Sequence, residues 1–100
     1  MFTPTLTPVK KFHNKHDGFT EGGLRHEIFH AKDNGLEKTG TILRNGRKVL
    51  IHEERYFLLI EIKNTGEYEH VIKLIEDAAA KGKFLPLEDA VAQVRGGSSL

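Results

Sequence analysis

The apolar positions near the start of the chain recur at helical spacing. Val9 and Phe12 share one face of a stretch that runs from Val9 to His16. Pro8 suits a first helical turn because it lacks an amide hydrogen, and Thr7 before it is a plausible N-cap. The pattern predicts a short first helix over residues 9–16, preceded by an irregular lead-in.

A second amphipathic stretch predicts a helix from Glu21 to Lys32. Thr20 is a plausible N-cap, and Glu21 suits the positive end of the helix dipole. Asn34-Gly35 provides a left-handed stop. The apolar stripe of this helix is formed by Leu24, Ile28 and Ala31 and is widened by Phe29.

Two β-prone runs, Thr41–Arg44 and Arg47–Ile51, flank the dipeptide Asn45-Gly46. Asn-Gly between such runs is typical of a type I′ turn, in which both central residues need a positive φ. The pattern therefore predicts a two-stranded antiparallel hairpin with Asn45 and Gly46 at its tip.

Three further helices are predicted downstream. The first begins at His52-Glu53-Glu54 and breaks near Gly66, the second spans residues 67–81, and the third spans about residues 88–94. Two helices, a hairpin and further helices together predict the α+β class, specifically a winged helix-turn-helix with a C-terminal helical extension. The expected division is a DNA-binding region at 1–64, a helical extension at 65–95 and a disordered tail at 96–100.

The composition narrows the function. A chain of 100 residues has room for one domain, and the absence of cysteine excludes disulfides and a thiol nucleophile. No apolar run approaches the roughly 20 residues of a membrane span, and the N-terminus does not resemble a secretion signal, so a cytoplasmic protein without membrane contact is expected. Residues 1–55 carry ten Lys/Arg, seven Asp/Glu and five of the six histidines, whereas residues 56–100 carry five Lys/Arg and seven Asp/Glu.

The basic first half has its cations where a DNA-binding protein needs them. Three cations flank the hairpin tip, where they can bind phosphates, and Arg25 on the second helix can pair with guanine or grip phosphate. The glycines Gly22-Gly23 each cost a helix roughly 1 kcal/mol, which indicates that something approaches that backbone closely. We expect a non-enzymatic reader of double-stranded DNA, without cofactor or metal, whose contacts are Thr20, Gly22, Arg25, His26, Arg44, Asn45, Arg47 and Lys48.

An alternative function comes from the same helix. The segment His26-Glu27-Ile28-Phe29-His30 matches the zinc-peptidase pattern of two histidines one turn apart with a glutamate base. A catalytic site needs a third protein ligand, for which His52 is one candidate, and no longer form of the motif follows. A small zinc metallopeptidase is therefore a less favoured hypothesis than a DNA-binding protein.

One family resemblance covers roughly residues 8–60. The residues concerned are Phe19-Thr20-Glu21-Gly22-Gly23-Leu24-Arg25-His26, Ile28-Phe29, Asn34-Gly35-Leu36, Arg44 through Ile51 with Glu53, and the aromatic pair Tyr56-Phe57. In these segments the chain resembles the excisionase-like, MerR-type winged helix-turn-helix proteins of bacteria and their mobile elements. The resemblance implies that residues 21–32 form the recognition helix and residues 42–51 the wing. The chain lacks the tryptophan that often follows the wing in that family.

A second resemblance covers residues 44–95. The hairpin with the following helix, and the stretch from Leu74 to Arg95, are similar to prevent-host-death-type antitoxins, which bind their own promoter and mask a toxin with their C-terminal segment. The N-terminal third does not match their usual opening. The apolar stripe Val71, Leu74, Ile75 and Ala78 either closes the core or forms an interface. A homodimer through residues 56–95 is expected, with a toxin bound through residues 66–95 as the alternative.

Overall fold

The computed structural model describes residues 4–96, which form an α+β fold as the sequence predicts. Its six helices are α1 (Val9–Lys15), α2 (Glu21–Phe29), α3 (Ala31–Asn34), α4 (Glu53–Thr65), α5 (Tyr68–Ala80) and α6 (Leu87–Val94). Its strands are β1 (Leu6–Pro8), β2 (Ile42–Asn45) and β3 (Lys48–His52), paired antiparallel in the order β1-β3-β2. The tail predicted for residues 96–100 lies, apart from residue 96, outside the described residues.

The sheet has a third strand that the sequence pattern did not predict. Thr7 lies in β1 opposite Ile51 of β3, and it is not the N-cap of α1. The N-cap position belongs to Pro8, whose side chain makes no capping hydrogen bond. The Thr7 hydroxyl instead donates to the buried carboxylate of Glu53. Residues 6–8 form a strand because they pair with the free edge of β3. This pairing joins distant parts of the chain, so a local sequence pattern does not indicate it.

The predicted hairpin is confirmed, but its tip is displaced by one residue. Asn45 pairs with Lys48, so Gly46 and Arg47 are the two central residues of the turn. Gly46 has a φ of 65°, and no residue other than glycine has a positive φ within residues 4–96. A positive φ at the first central position alone is the pattern of a type II′ turn, so the predicted type I′ turn is wrong. Asn45 is consequently a strand residue.

The predicted second helix is confirmed at both ends and interrupted inside. The Thr20 hydroxyl accepts a hydrogen bond from the Gly23 amide at 3.0 Å, and Gly35 closes the segment in the left-handed region with a φ of 90°. His30, with φ −98° and ψ 23°, separates α2 from the short α3. The continuous helix predicted to Lys32 is therefore two helices that meet at His30.

The chain divides into two compact units, one ending at Tyr56 and the other beginning at Phe57. In the first unit the core is formed by Val9, Phe12, Leu24, Ala31, Leu36, Ile42, Ile51 and Tyr56. In the second, α5 packs against α6, and the buried apolar side chains are Leu59, Ile62, Val71, Ile72, Ile75, Leu87, Ala90 and Val91. Among residues 4–96, every helix is too short or too polar to cross a membrane.

Candidate nucleic-acid interface

The N-terminus of α2 is built around the Thr20 cap. A Cβ at Gly23 would lie 2.9 Å from the Thr20 hydroxyl oxygen, so a larger residue at Gly23 would disturb the capping hydrogen bond. A Cβ at Gly22 would meet nothing within 4 Å. The two glycines therefore have different roles. Gly23 accommodates the cap, whereas Gly22 leaves the backbone of the helix terminus open to an external ligand.

Arg25 lies on the exposed side of α2 and is held by Glu21 one turn earlier. Its Nε and Nη2 donate to the same carboxylate oxygen of Glu21 at 3.1 and 2.8 Å. The hydrogen bond from Arg25 lowers the pKa of Glu21 below its usual value. The Arg25 side chain is 62% exposed, so its remaining N–H groups face solvent while Glu21 holds one side of the guanidinium. These donors suit a ligand with two neighbouring acceptor atoms, such as a guanine edge or a phosphate.

The β2–β3 hairpin carries the other predicted contacts at its tip. Arg44 in β2 forms an ion pair of 3.6 Å with Glu37, and both side chains are largely exposed. Arg47 occupies the turn, and Lys48 begins β3. Within residues 4–96, neither the Arg47 nor the Lys48 side chain forms an ion pair with the protein, so both cations are available to an anion.

An open groove joins α2 to the hairpin. It has a volume of about 330 Å³ and is lined by Val9, Arg25, Ile28, Phe29, Arg44 and Val49. Arg25 from the helix and Arg44 from the strand thus supply cations to one depression, whose other lining side chains are apolar. We call this depression the helix–hairpin groove. It lies between the two elements for which the sequence predicts DNA contacts.

Phe29 lies on a different side of α2 from the one that the apolar pattern predicts. It does not widen the buried stripe of α2, because its side chain is 84% exposed. At about 100° per residue, Phe29 lies about 140° from Leu24 and only about 40° from Arg25 around the helix. A helical projection of the sequence therefore places Phe29 on the exposed side of α2, away from Leu24. Leu24 and Ala31 are buried as predicted, and Ile28 is half-buried in the groove.

A buried carboxylate ties β1 and α1 to the start of α4. Glu53 receives hydrogen bonds from the Thr7 hydroxyl and from Lys15 Nζ at 2.7 Å, and His16 Nε2 lies 3.2 Å from its other oxygen. Burial alone would raise the pKa of Glu53, but the hydrogen bonds from Lys15, Thr7 and His16 outweigh it and lower the pKa to about 2. This cluster fixes the framework that carries α2 and the hairpin.

The histidines of the zinc-peptidase pattern are adjacent, with ring centroids 4.6 Å apart in an edge-to-face arrangement. Its glutamate, Glu27, is engaged elsewhere, because the Tyr56 hydroxyl donates to it at 2.9 Å. No group of three or more metal-ligating side chains occurs within residues 4–96, and His52 does not join the pair. His26 and His30 thus supply two of the ligands that a zinc site needs.

The second unit is organised by packing and by a charged cluster. Val71 and Ile75 of the predicted stripe are buried, and Leu74 and Ala78 are half-buried. The stripe therefore helps to close the core.

Arg95 binds Glu61 at 2.7 Å and Glu67 at 2.9 Å, and its hydrogen bonds lower the pKa of Glu67 to about 2.

Comparisons with protein-family models, curated proteins and solved structures gave no match. The ligand is thus indicated by the chemistry of the site itself. Cations on two separate elements and one exposed aromatic ring line a single groove. Such a surface suits an extended anionic ligand that also presents small apolar groups.

Proposed function

We propose that residues 4–56 form a winged helix-turn-helix that binds duplex DNA in the bacterial cytoplasm. In this proposal α2 enters the major groove and the β2–β3 hairpin is the wing that contacts the phosphates. The observation that carries the proposal is the shared lining of the helix–hairpin groove by Arg25 and Arg44. A helix and a wing that jointly present cations can contact bases and backbone of one duplex at the same time.

The roles of the contacts follow from their surroundings. Arg47 and Lys48 lie at a protruding tip and serve as phosphate contacts, since phosphate binding requires charge and little geometry. Arg25 is oriented by Glu21 and serves as the base contact, because reading guanine requires a fixed planar fork. Gly22 allows a phosphate to approach the amides of the helix terminus.

The experiment is fluorescence anisotropy of a labelled duplex of random sequence, repeated over a series of salt concentrations. The affinity should fall steeply with salt, because each bound phosphate releases counterions. Lys48→Ala should weaken binding to all duplexes and reduce the slope of log affinity against log salt by about one. The matched control is Lys73→Ala, which removes an exposed lysine from α5 in the other unit and should leave the slope unchanged.

Two results of these anisotropy measurements would overturn the proposal or part of it. A 100-residue chain that binds no duplex, or whose affinity does not depend on salt, is not a DNA-binding protein of this kind. A Lys48→Ala variant with the same salt slope as Lys73→Ala would remove the wing from the proposed interface.

We further propose that the full chain binds as a homodimer through its second unit, because helix-turn-helix readers gain affinity by pairing two half-sites. The stripe on α5 is buried or half-buried, whereas Phe84, between α5 and α6, is 62% exposed. Sedimentation of the full chain should show a dimer, and Phe84→Asp should shift it to monomer. A wild-type monomer at high concentration would contradict the dimer and would favour a different protein, such as a toxin, at this surface.

A further inference from the structure

Phe29 is an aromatic side chain on a face of α2 that is otherwise polar. It is 84% exposed, the largest exposure among the exposed large apolar side chains of residues 4–96. It lines the helix–hairpin groove beside Ile28, and it follows Arg25 by one helical turn. The ring therefore contributes little to the core, while it lies on the surface proposed to meet DNA.

We propose that Phe29 reads a thymine by contacting its C5-methyl group in the major groove, an inference that rests on the proposed DNA-binding function. The cations Arg25 and Arg44 on the same groove favour an anionic polymer over an apolar protein surface. Within the major groove of DNA, the apolar group that base edges present is the thymine methyl, and apolar side chains including phenylalanine contact it. Phe29 is thus a specificity-determining residue.

The helix geometry also predicts where the thymine lies. Four residues of α-helix advance by about 6 Å along the axis, and neighbouring base pairs are about 3.4 Å apart. A helix lying along the groove therefore places the Phe29 ring one or two base pairs from the base that Arg25 contacts. The half-buried Ile28 beside the ring helps to exclude water from the contact.

The test begins with the 100-residue chain and a library of duplexes with a randomised central segment. After selection, each thymine of the enriched duplex is replaced in turn by deoxyuridine, which removes only the methyl group. One replacement, one or two base pairs from the Arg25 position, should weaken binding about fourfold, the effect of one buried methyl group. That position is identified by the loss of preference in Arg25→Ala.

The Phe29→Ala variant completes a double-mutant cycle. Because the side chain is 84% exposed, the variant should fold like the wild type. It should bind the thymine duplex about fourfold more weakly and should not distinguish thymine from deoxyuridine at the sensitive position. Phe29→Leu keeps an apolar group there and should retain part of the discrimination.

Three outcomes would overturn the inference or its basis, and they are distinguishable. A selection that enriches no duplex ends this inference, and it ends the proposed function as well where the protein also fails to bind the random duplex. An enriched duplex that tolerates deoxyuridine at every position ends only the thymine contact. A Phe29→Ala variant that remains as sensitive to deoxyuridine as the wild type assigns the methyl contact to another residue.

Discussion

The Tyr56 hydroxyl in α4 donates a 2.9 Å hydrogen bond to the carboxylate of Glu27 in α2. The Tyr56 ring meets Phe12 and Phe19 edge-to-face at centroid distances of 5.2 and 5.5 Å. Burial, followed by the charge and hydrogen bond of Glu27, raises the pKa of Tyr56, so its hydroxyl remains a donor at all physiological pH values. One residue thus attaches the helix that carries Arg25 to the aromatic core.

The first prediction concerns this bond. Tyr56→Phe should lower the free energy of unfolding by about 1.5 kcal/mol, near the low end for bonds to charged groups, because the half-exposed Glu27 can be rehydrated. Urea denaturation followed by circular dichroism measures the change. Glu27→Gln keeps an acceptor for the Tyr56 hydroxyl and should lose less. A Tyr56→Phe variant as stable as the wild type would show that the bond contributes nothing.

The second prediction is a pH dependence that originates at Glu53. Its pKa of about 2 in the folded protein lies below the ordinary value of 4.5, so its hydrogen bonds stabilise the fold above about pH 4.5. This stabilisation should be lost progressively as the pH falls towards 2. Glu53→Gln should therefore reduce stability at pH 7 by an amount on the order of 3 kcal/mol, and much less at pH 2.

The measurement for Glu53 is the difference in unfolding free energy between wild type and variant at several pH values. The difference is needed because Glu67, with a pKa also lowered to about 2, titrates in the same range. Glu69→Gln, at an exposed position of α5, is the matched control and should give a small difference at every pH. A Glu53→Gln difference that does not change with pH would contradict the role given to the cluster.

Several features could be predicted from the sequence because they depend on neighbouring residues. The Thr20 cap, the stop at Gly35 and the hairpin around Gly46 are each formed by hydrogen bonds within a few positions, and each is confirmed. The turn type was wrong because Asn-Gly fits more than one register. The pairing of Asn45 with Lys48 is decided by the whole ladder, not by the dipeptide.

Other features depend on contacts between distant parts of the chain. Threonine is a common N-cap residue, but Thr7 pairs with β3 and donates to the carboxylate of Glu53, and it is therefore a buried strand residue. Of the side chains that line the helix–hairpin groove, the sequence predicted the exposed cations Arg25 and Arg44 and not the exposed Phe29, since an apolar residue beside Ile28 was assigned to the core. The angular position around the helix, which puts Phe29 beside Arg25, predicts the exposure of Phe29 better than its hydrophobicity does.

The third prediction tests how Glu21 positions Arg25. Glu21→Gln removes a carboxylate that both orients the guanidinium and repels phosphate. The variant should bind random duplexes severalfold more tightly, because the net charge of the surface becomes more positive. Its preference for a selected duplex over a random one should decrease, because Arg25 is less fixed. Anisotropy at constant salt measures both, with Glu69→Gln as the control, and an unchanged preference would contradict the positioning role.

The fourth prediction separates folding from binding at the terminus of α2. Gly22→Ala should raise the free energy of unfolding by about 1 kcal/mol, since alanine favours a helix and its methyl group would meet nothing within 4 Å. The same methyl group should weaken DNA binding if a phosphate approaches the amides there. Gly23→Ala should instead be destabilising, because its Cβ would lie 2.9 Å from the Thr20 hydroxyl. A Gly22→Ala protein that is more stable and binds DNA as tightly as the wild type would exclude the helix terminus from the interface.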